Sequence, residues 1–241
     1  MNNIYIIKIL VNMIDLFRIA KRPHLYKKEV DSGYLIHCLL KEIFQDENPS
    51  PFVITNNTEP YMEILGYSSK SADELKSIAD NNRSRKIYSA IDWSRFSSKS
   101  MPSVFSNNTE YSFRLRACPV VRKGRGSTDF KPGSEVDVFL SEVSKKSDNE
   151  RISREEVYRK WIKRMFQRYN IEIIPPLKLS RMNLTKFVRK STKRNIKTMT
   201  RPDATFEGKI KINDSSVFTD QMCKGFGRHC AFGYGMILLS R

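Results

Sequence analysis

The chain has 241 residues, with 43 Lys+Arg against 26 Asp+Glu for a formal net charge of +17, and 39% hydrophobic and 11% aromatic side chains. That length suits one large domain or two of about 100–120 residues, each able to bury a core without disulfide or metal staples, and the composition excludes a disordered chain. The longest apolar stretch, Ile4–Leu10, is broken by Lys8, so neither a signal peptide nor a membrane span is expected and the chain reads as cytoplasmic.

Residues 3–12 are rich in β-branched side chains and read as a buried strand. After a basic, irregular stretch, Asp31 or Ser32 can cap a helix from about 33 to 45. In that helix Ile36, Leu39, Leu40 and Ile43 recur at i, i+3, i+4 and i+7 and define a core face, while Tyr34, His37 and Lys41 stack on another face. Short strands are expected near Phe52–Thr55 and Met62–Tyr67, then a helix over Ser71–Ala79. The polar, Ser/Asn-rich residues 80–108 read mostly as loop, and the alternating Tyr111–Val121 as a strand. The resulting β-α-β-β-α-β order is the ferredoxin-like arrangement.

Residues 122–150, with Gly124, Gly126, Pro132 and Gly133 among charged side chains, read as a linker or long connection. Ser153 opens a helix to about Tyr169, with Val157, Trp161, Ile162, Met165 and Phe166 as its apolar stripe. Strands are expected at 171–179, 184–190 and 204–212, a short helix near 216–224, and a last strand at Tyr234–Ser240. The expected fold class is α+β: tandem ferredoxin-like (RRM-like) domains, β-α-β-β-α-β each, over residues 1–123 and 124–241.

Charge follows the same division. Residues 151–241 carry 21 basic and 7 acidic side chains, whereas residues 1–150 carry 22 and 19. Nine basic residues and no acidic one lie between Ile173 and Pro202: Lys178, Arg181, Lys186, Arg189, Lys190, Lys193, Arg194, Lys197 and Arg201. They cluster where two strands are expected to meet in a hairpin. Such runs are commonly a solvated face, but one without counter-charges suits a nucleic-acid groove, with phosphates neutralised on both sides.

A second signal is Lys224-Gly225-Phe226-Gly227-Arg228-His229-Cys230-Ala231-Phe232-Gly233-Tyr234-Gly235. Four glycines with interleaved basic residues make a backbone that can approach a ligand closely and offer N–H groups to phosphate. The segment matches neither a dinucleotide-binding loop, which needs Gly at the position of Cys230, nor a P-loop, and Arg228-His229-Cys230 breaks an RNA-recognition-motif pattern. The alternative, a Gly-rich turn before the last strand, accounts for one or two of the glycines.

Among titratable groups, His24 lies in a basic loop, His229 in the glycine segment and His37 off the apolar face of the first helix. A lone helical histidine is commonly a satisfied surface or core residue. Tyr34 one turn before His37 and Lys41 one turn after it set His37 apart, because both can orient the ring or stabilise charge. Cys38, Cys118, Cys223 and Cys230 contain no Cys-x-x-Cys pair and read as reduced thiols, and Cys223, His229 and Cys230 lack ligand spacing. No metal site and no cofactor is expected.

Gly225-x-Gly227-x5-Gly233-x-Gly235, followed by Met236-Ile237-Leu238-Leu239, resembles the C-terminal glycine-rich loop of CRISPR-RNA-processing endoribonucleases of the CasE branch. Collinear segments point the same way. Phe113-Arg114-Leu115-Arg116-Ala117-Cys118-Pro119 resembles that family's Phe-Arg-Leu-Arg-Ala-Asn-Pro strand, Phe206-Glu207-Gly208-Lys209-Ile210 its Phe-Glu-Gly-x-Leu strand, and Tyr34-x-x-His37 its catalytic Tyr-x-x-His. Asp31-Ser32-Gly33 replaces the usual Asn-Pro before the tyrosine, Cys118 replaces Asn, and residues 60–108 do not align.

The resemblance implies a metal-independent endoribonuclease that binds a CRISPR repeat stem-loop and cleaves at the base of the stem. Attack by the 2′-OH would leave a 2′,3′-cyclic phosphate and a 5′-OH, and the product would stay bound. His37 would be general acid or base, Tyr34 would position it or the substrate, and Lys41 would be the nearby cation. RNA would be gripped by Lys186, Arg189, Lys190, Lys193, Arg194, Lys197 and Arg201 of the hairpin. Lys224, Gly225, Gly227, Arg228, Gly233 and Gly235 would shape the site or the RNA path. Expected partners are the repeat RNA and other subunits of a CRISPR effector complex, with no membrane. The alternative is a non-catalytic RNA-hairpin-binding subunit of the same architecture. A regulator of duplex DNA is disfavoured because no helix concentrates the charge.

Overall fold

Buried side chains at every second position set the first strand, β1 (Tyr5–Asn12), where Ile7, Ile9 and Val11 are fully enclosed and Lys8 between them is exposed. The computed structural model describes residues 3–20, 32–58, 60–81, 85–102, 104–106, 109–127, 129–146, 151–190 and 196–240.

The first half continues through α1 (Met13–Ala20), α2 (Ser32–Phe44), β2 (Phe52–Thr58), β3 (Tyr61–Ser68), α3 (Ala72–Asn81), α4 (Arg85–Tyr88) and β4 (Ser97–Ser100). Its antiparallel sheet has the order β2-β3-β1-β4. The second half is β5 (Glu110–Ala117), β6 (Val120–Arg122), β7 (Glu135–Asp137), α5 (Val138–Val143), α6 (Arg154–Gln167), β8 (Ile171–Lys190), β9 (Ile196–Ile212), α7 (Ser215–Lys224) and β10 (Ile237–Ser240). Its main sheet has the order β10-β5-β9-β8, and β6–β7 forms a separate two-stranded ribbon. Counting four strands per half, both sheets run second–third–first–fourth, so the chain is two ferredoxin-like halves in tandem.

Ile36, Leu39, Leu40 and Ile43 of α2 form the expected core face and are almost fully buried, together with Leu35 and Phe44. Ser153 opens α6 as expected, its hydroxyl accepting from the Glu156 backbone N–H at 3.4 Å. Four expectations are corrected. The strand 111–121 opens the second sheet instead of closing the first, so the sheets change between Ser100 and Glu110 and not near residue 123. The closing strand of the first sheet is β4, within the expected loop 80–108. Its Ser-Ser-Lys-Ser sequence has no apolar alternation to read, and it is fixed by backbone pairing of Ser97–Ser100 with Tyr5–Lys8. A helix not foreseen, α1, follows β1 directly, with the Asn12 side chain accepting from the Ile14 N–H at 2.9 Å.

The last correction concerns the hairpin. The strands expected at 171–179 and 184–190 are one strand, β8, whose register slips between Ile174 and Lys178 and again between Leu179 and Arg181. Its partner β9 starts at Ile196, earlier than expected. Because β5 pairs with β9 only over Ala204–Lys211, the stretch from Asn183–Asp203 out to Lys190–Ile196 is a two-stranded arm beyond the sheet.

The halves share a core. Ile4, Val53 and Tyr67 of the first pack in one cluster with Phe113, Leu115, Phe206 and Ile237 of the second. The buried Tyr67 hydroxyl donates to the Ile237 carbonyl at 2.7 Å, crossing from one half to the other. Among the described residues no helix is long and apolar enough to cross a membrane.

Candidate functional site

The second stripe of α2 carries the candidate chemistry. Tyr34, His37, Cys38 and Lys41 are spaced i, i+3, i+4 and i+7, opposite the leucine face that anchors the helix. A short 3-10 turn, Cys230–Phe232, packs onto this stripe. The Phe232 ring meets His37 edge-on at 5.3 Å between centroids, lies 6.1 Å from the Tyr34 ring and 6.3 Å from His229. The structure therefore brings together the Tyr34-x-x-His37 pair and the glycine segment, two signals almost 200 residues apart in sequence.

Burial lowers the His37 pKa from its ordinary value of 6.5, and the Lys41 ammonium one turn away lowers it further. The imidazole is therefore neutral at neutral pH. Burial, and then the neighbouring Cys38, push the Tyr34 phenol up to about 12, so Tyr34 keeps its proton and can donate a hydrogen bond. Lys41 is half exposed and its Nζ is paired with Asp46 Oδ1 at 2.5 Å, a surface pair that costs little to exchange for another anion.

The glycine segment is held by its own geometry. Gly225, Gly227, Gly233 and Gly235 all have φ between +78° and +90°, the left-handed region. A Cβ at Gly235 would stand 2.6 Å from Cys230 Sγ and 2.8 Å from the Phe226 carbonyl oxygen. The backbone closes on itself through Phe226 N–H to Gly235 O, and on β5 through Gly235 N–H to Arg116 O, both at 2.8 Å. The path of the loop thus requires these glycines independently of any phosphate contact.

Two ion-pair centres brace this arrangement. Arg116 on β5 grips the buried Asp203 carboxylate of β9 with two hydrogen bonds, 2.9 and 2.7 Å, while its guanidinium lies 4.3 Å over the Tyr234 ring and reaches the Tyr234 hydroxyl at 3.1 Å. Glu135 on β7 accepts from Arg228 Nε at 2.5 Å, with His229 Nε2 at 3.0 Å and an Arg201 nitrogen at 3.7 Å. Burial alone would raise the Glu135 carboxyl, but Arg228, His229 and Arg201 hold it below its ordinary value. Burial lowers His229 in turn, against the opposing pull of Glu135.

Of the residues read as RNA-binding, Lys186 lies on the arm, where the backbones of Arg189 and Lys190 pair with Lys197 and Ile196. Lys193 and Arg194 lie outside the described residues. Arg201 is mostly covered and faces Glu135, Lys224 is exposed at the end of α7, and Arg228 is exposed although paired with Glu135. Sequence reasoning missed Phe232, Glu135 and the Arg116–Asp203 pair as parts of the site. Their role lies in contacts between segments far apart in the chain, and no local spacing encodes it. Among the described residues no group of three or more His, Cys, Asp or Glu side chains is placed to hold a metal ion.

The model of a family described as CRISPR associated protein matches residues 4–241. Among solved structures, the CRISPR endoribonuclease Cse3 bound to a 19 nt RNA aligns with a TM-score of 0.64 and 14% identity, over 99% of this chain and 100% of that chain. Thermus thermophilus Cse3, bound to an RNA representing a pre-cleavage complex, aligns with a TM-score of 0.63 and 13% identity over 99% and 100%. Cas6e from Escherichia coli str. K-12 aligns with a TM-score of 0.58 and 17% identity over 98% of both chains. At these identities the likeness carries the fold. No curated protein matches by sequence.

Proposed function

The chain belongs to the family of CRISPR associated proteins, and on that footing we propose that it is a metal-independent endoribonuclease that binds a repeat stem-loop in CRISPR precursor RNA and cleaves at the base of the stem. The fold it shares with Cse3 and Cas6e, which are named as a CRISPR endoribonuclease and a CRISPR-associated protein, supports the class of activity. The observation that carries the chemistry is the meeting of Tyr34 and His37 with Phe232 of the glycine loop.

Neutral His37 accepts the proton of the ribose 2′-OH as that oxygen attacks the adjacent phosphorus. The P–O5′ bond breaks, the 5′-oxygen leaves and takes up a proton, and a 2′,3′-cyclic phosphate and a 5′-OH result. Tyr34, protonated across the working pH range, donates a hydrogen bond that positions the ribose or a phosphate oxygen. Lys41, freed from Asp46, sets positive charge against the developing dianion. The β8–β9 arm and Lys224 grip the stem through its phosphates and shape, as duplex RNA demands, and the product stays bound there.

His37→Ala is expected to slow cleavage of a repeat RNA by roughly 10²–10⁴-fold while leaving RNA affinity unchanged. Cleavage at the wild-type rate would remove His37 from the mechanism. Unchanged binding by a wild-type protein that never cuts would make the chain a binding subunit only.

A further inference from the structure

A groove of about 640 Å³ runs between α6 on one side and β6 with α5 on the other, on the helix-covered side of the second half. Apart from Gly227 and Arg228, its lining residues take no part in the function proposed above. Eight of its lining side chains are Lys or Arg and two are Glu. Lys160, Arg164 and Arg168 are exposed at i, i+4 and i+8, so they stand in a row with about 6 Å of axial rise between neighbours. Arg122 and Arg151 are also exposed along its lining. Of the two carboxylates, Glu142 is paired with Lys145 at 3.0 Å, which leaves the groove strongly cationic.

Between the charges sit two half-covered aromatic rings, Trp161 and Tyr169. A row of cations beside partly exposed rings is how single-stranded nucleic acid is held, the phosphates tracking the charges and bases stacking on the rings. Gly227 and Arg228 of the glycine loop also line the groove, and the next residue, His229, packs against Phe232, which covers His37. A strand lying along α6 would thus pass beside the loop that closes the candidate active site.

We infer that this groove binds a single-stranded segment of RNA adjoining the hairpin that the active site cuts. The inference rests on the proposed function for the identity of the RNA, and on the groove itself for the single strand. Charge favours a polyanion, and the aromatic pair favours one with bases over an acidic protein.

The chain has two tryptophans. In full-length Trp93→Phe protein, Trp161 is the one tryptophan left to report on the groove. Oligouridylate of about ten nucleotides is expected to quench its fluorescence. Adding Lys160→Ala, Arg164→Ala and Arg168→Ala is expected to weaken that binding at least about tenfold and to flatten its salt dependence by about two units of slope. The same triple variant should bind a tail-less, uncleavable hairpin RNA as the parent does, and lose the extra affinity conferred by a uridine tail. Absence of quenching, an unaltered triple variant, or quenching by polyglutamate but not by oligouridylate would overturn the inference. Hairpin binding without oligouridylate binding sinks the groove and spares the nuclease. Oligouridylate binding without hairpin binding or cutting sinks the nuclease and spares the single-strand site.

Discussion

His37 combines a helical position fixed by the leucine face of α2 with a ring held against Phe232, and both follow from residues on the opposite sides of two elements. Its pKa lies below 6.5 because burial and Lys41 disfavour the charged form. A base that must be neutral to act gives a rate that rises with pH through that lowered value and then levels off. Lys41→Ala is expected to move this midpoint upward, towards 6.5, while Lys41→Arg leaves it in place. The measurement is single-turnover cleavage across pH, and a midpoint that does not move would show that Lys41 exerts no field on His37. That Tyr34, His37 and Lys41 share one face of a helix was legible because helical period stacks positions 34, 37 and 41, and the resemblance marked the first two as the candidate pair. Phe232, which covers the pair, was not, since nothing near residue 232 points to a helix almost 200 residues earlier.

The glycine loop and the arm show what one element contributes to the site. Gly235→Ala would place a methyl against Cys230 Sγ and the Phe226 carbonyl at a φ of +78°, and is expected to cost about 1–3 kcal/mol and to weaken cleavage as Phe232 shifts. Gly124→Ala, where a Cβ meets nothing within 4 Å, is the control and should be neutral. Urea unfolding of both variants checks this, and equal midpoints would mean that the loop is not under the constraint described. For the arm, neutralising Lys186 is expected to flatten the salt dependence of hairpin-RNA binding by about 0.9 units of slope per lost phosphate contact. An unchanged slope would place the grip elsewhere. The arm's charge and hairpin character could be read directly from the run of nine cations, but its length could not. The break was expected at residues 180–183, between strands at 171–179 and 184–190, whereas the structure carries β8 through them with a shift of register between Leu179 and Arg181.

Across the whole molecule, the β-α-β-β-α-β order was legible in outline because the two long amphipathic helices and the apolar strands recur in a similar sequence, although no opening strand was read for the second half. The division between the halves was not. An edge strand made of Ser-Ser-Lys-Ser has no pattern of burial to reveal it, so the strongly alternating β5 took its place in the reading. The consequence for function is that β5 brings Arg116 to Asp203 and Tyr234 within the second half, while the shared core and the Tyr67–Ile237 hydrogen bond hold α2 of the first half against the glycine loop of the second. The proposed site therefore draws on both halves, and the proposed chemistry is metal-independent. The measurement that tests this most directly is cleavage of repeat RNA by the purified chain in EDTA, beside a matched RNA with a 2′-deoxy sugar at the scissile position. Cutting that persists in EDTA, leaves a 2′,3′-cyclic phosphate and is abolished by the deoxy sugar is the predicted result; loss of cutting in EDTA, or cleavage of the deoxy substrate, would contradict it.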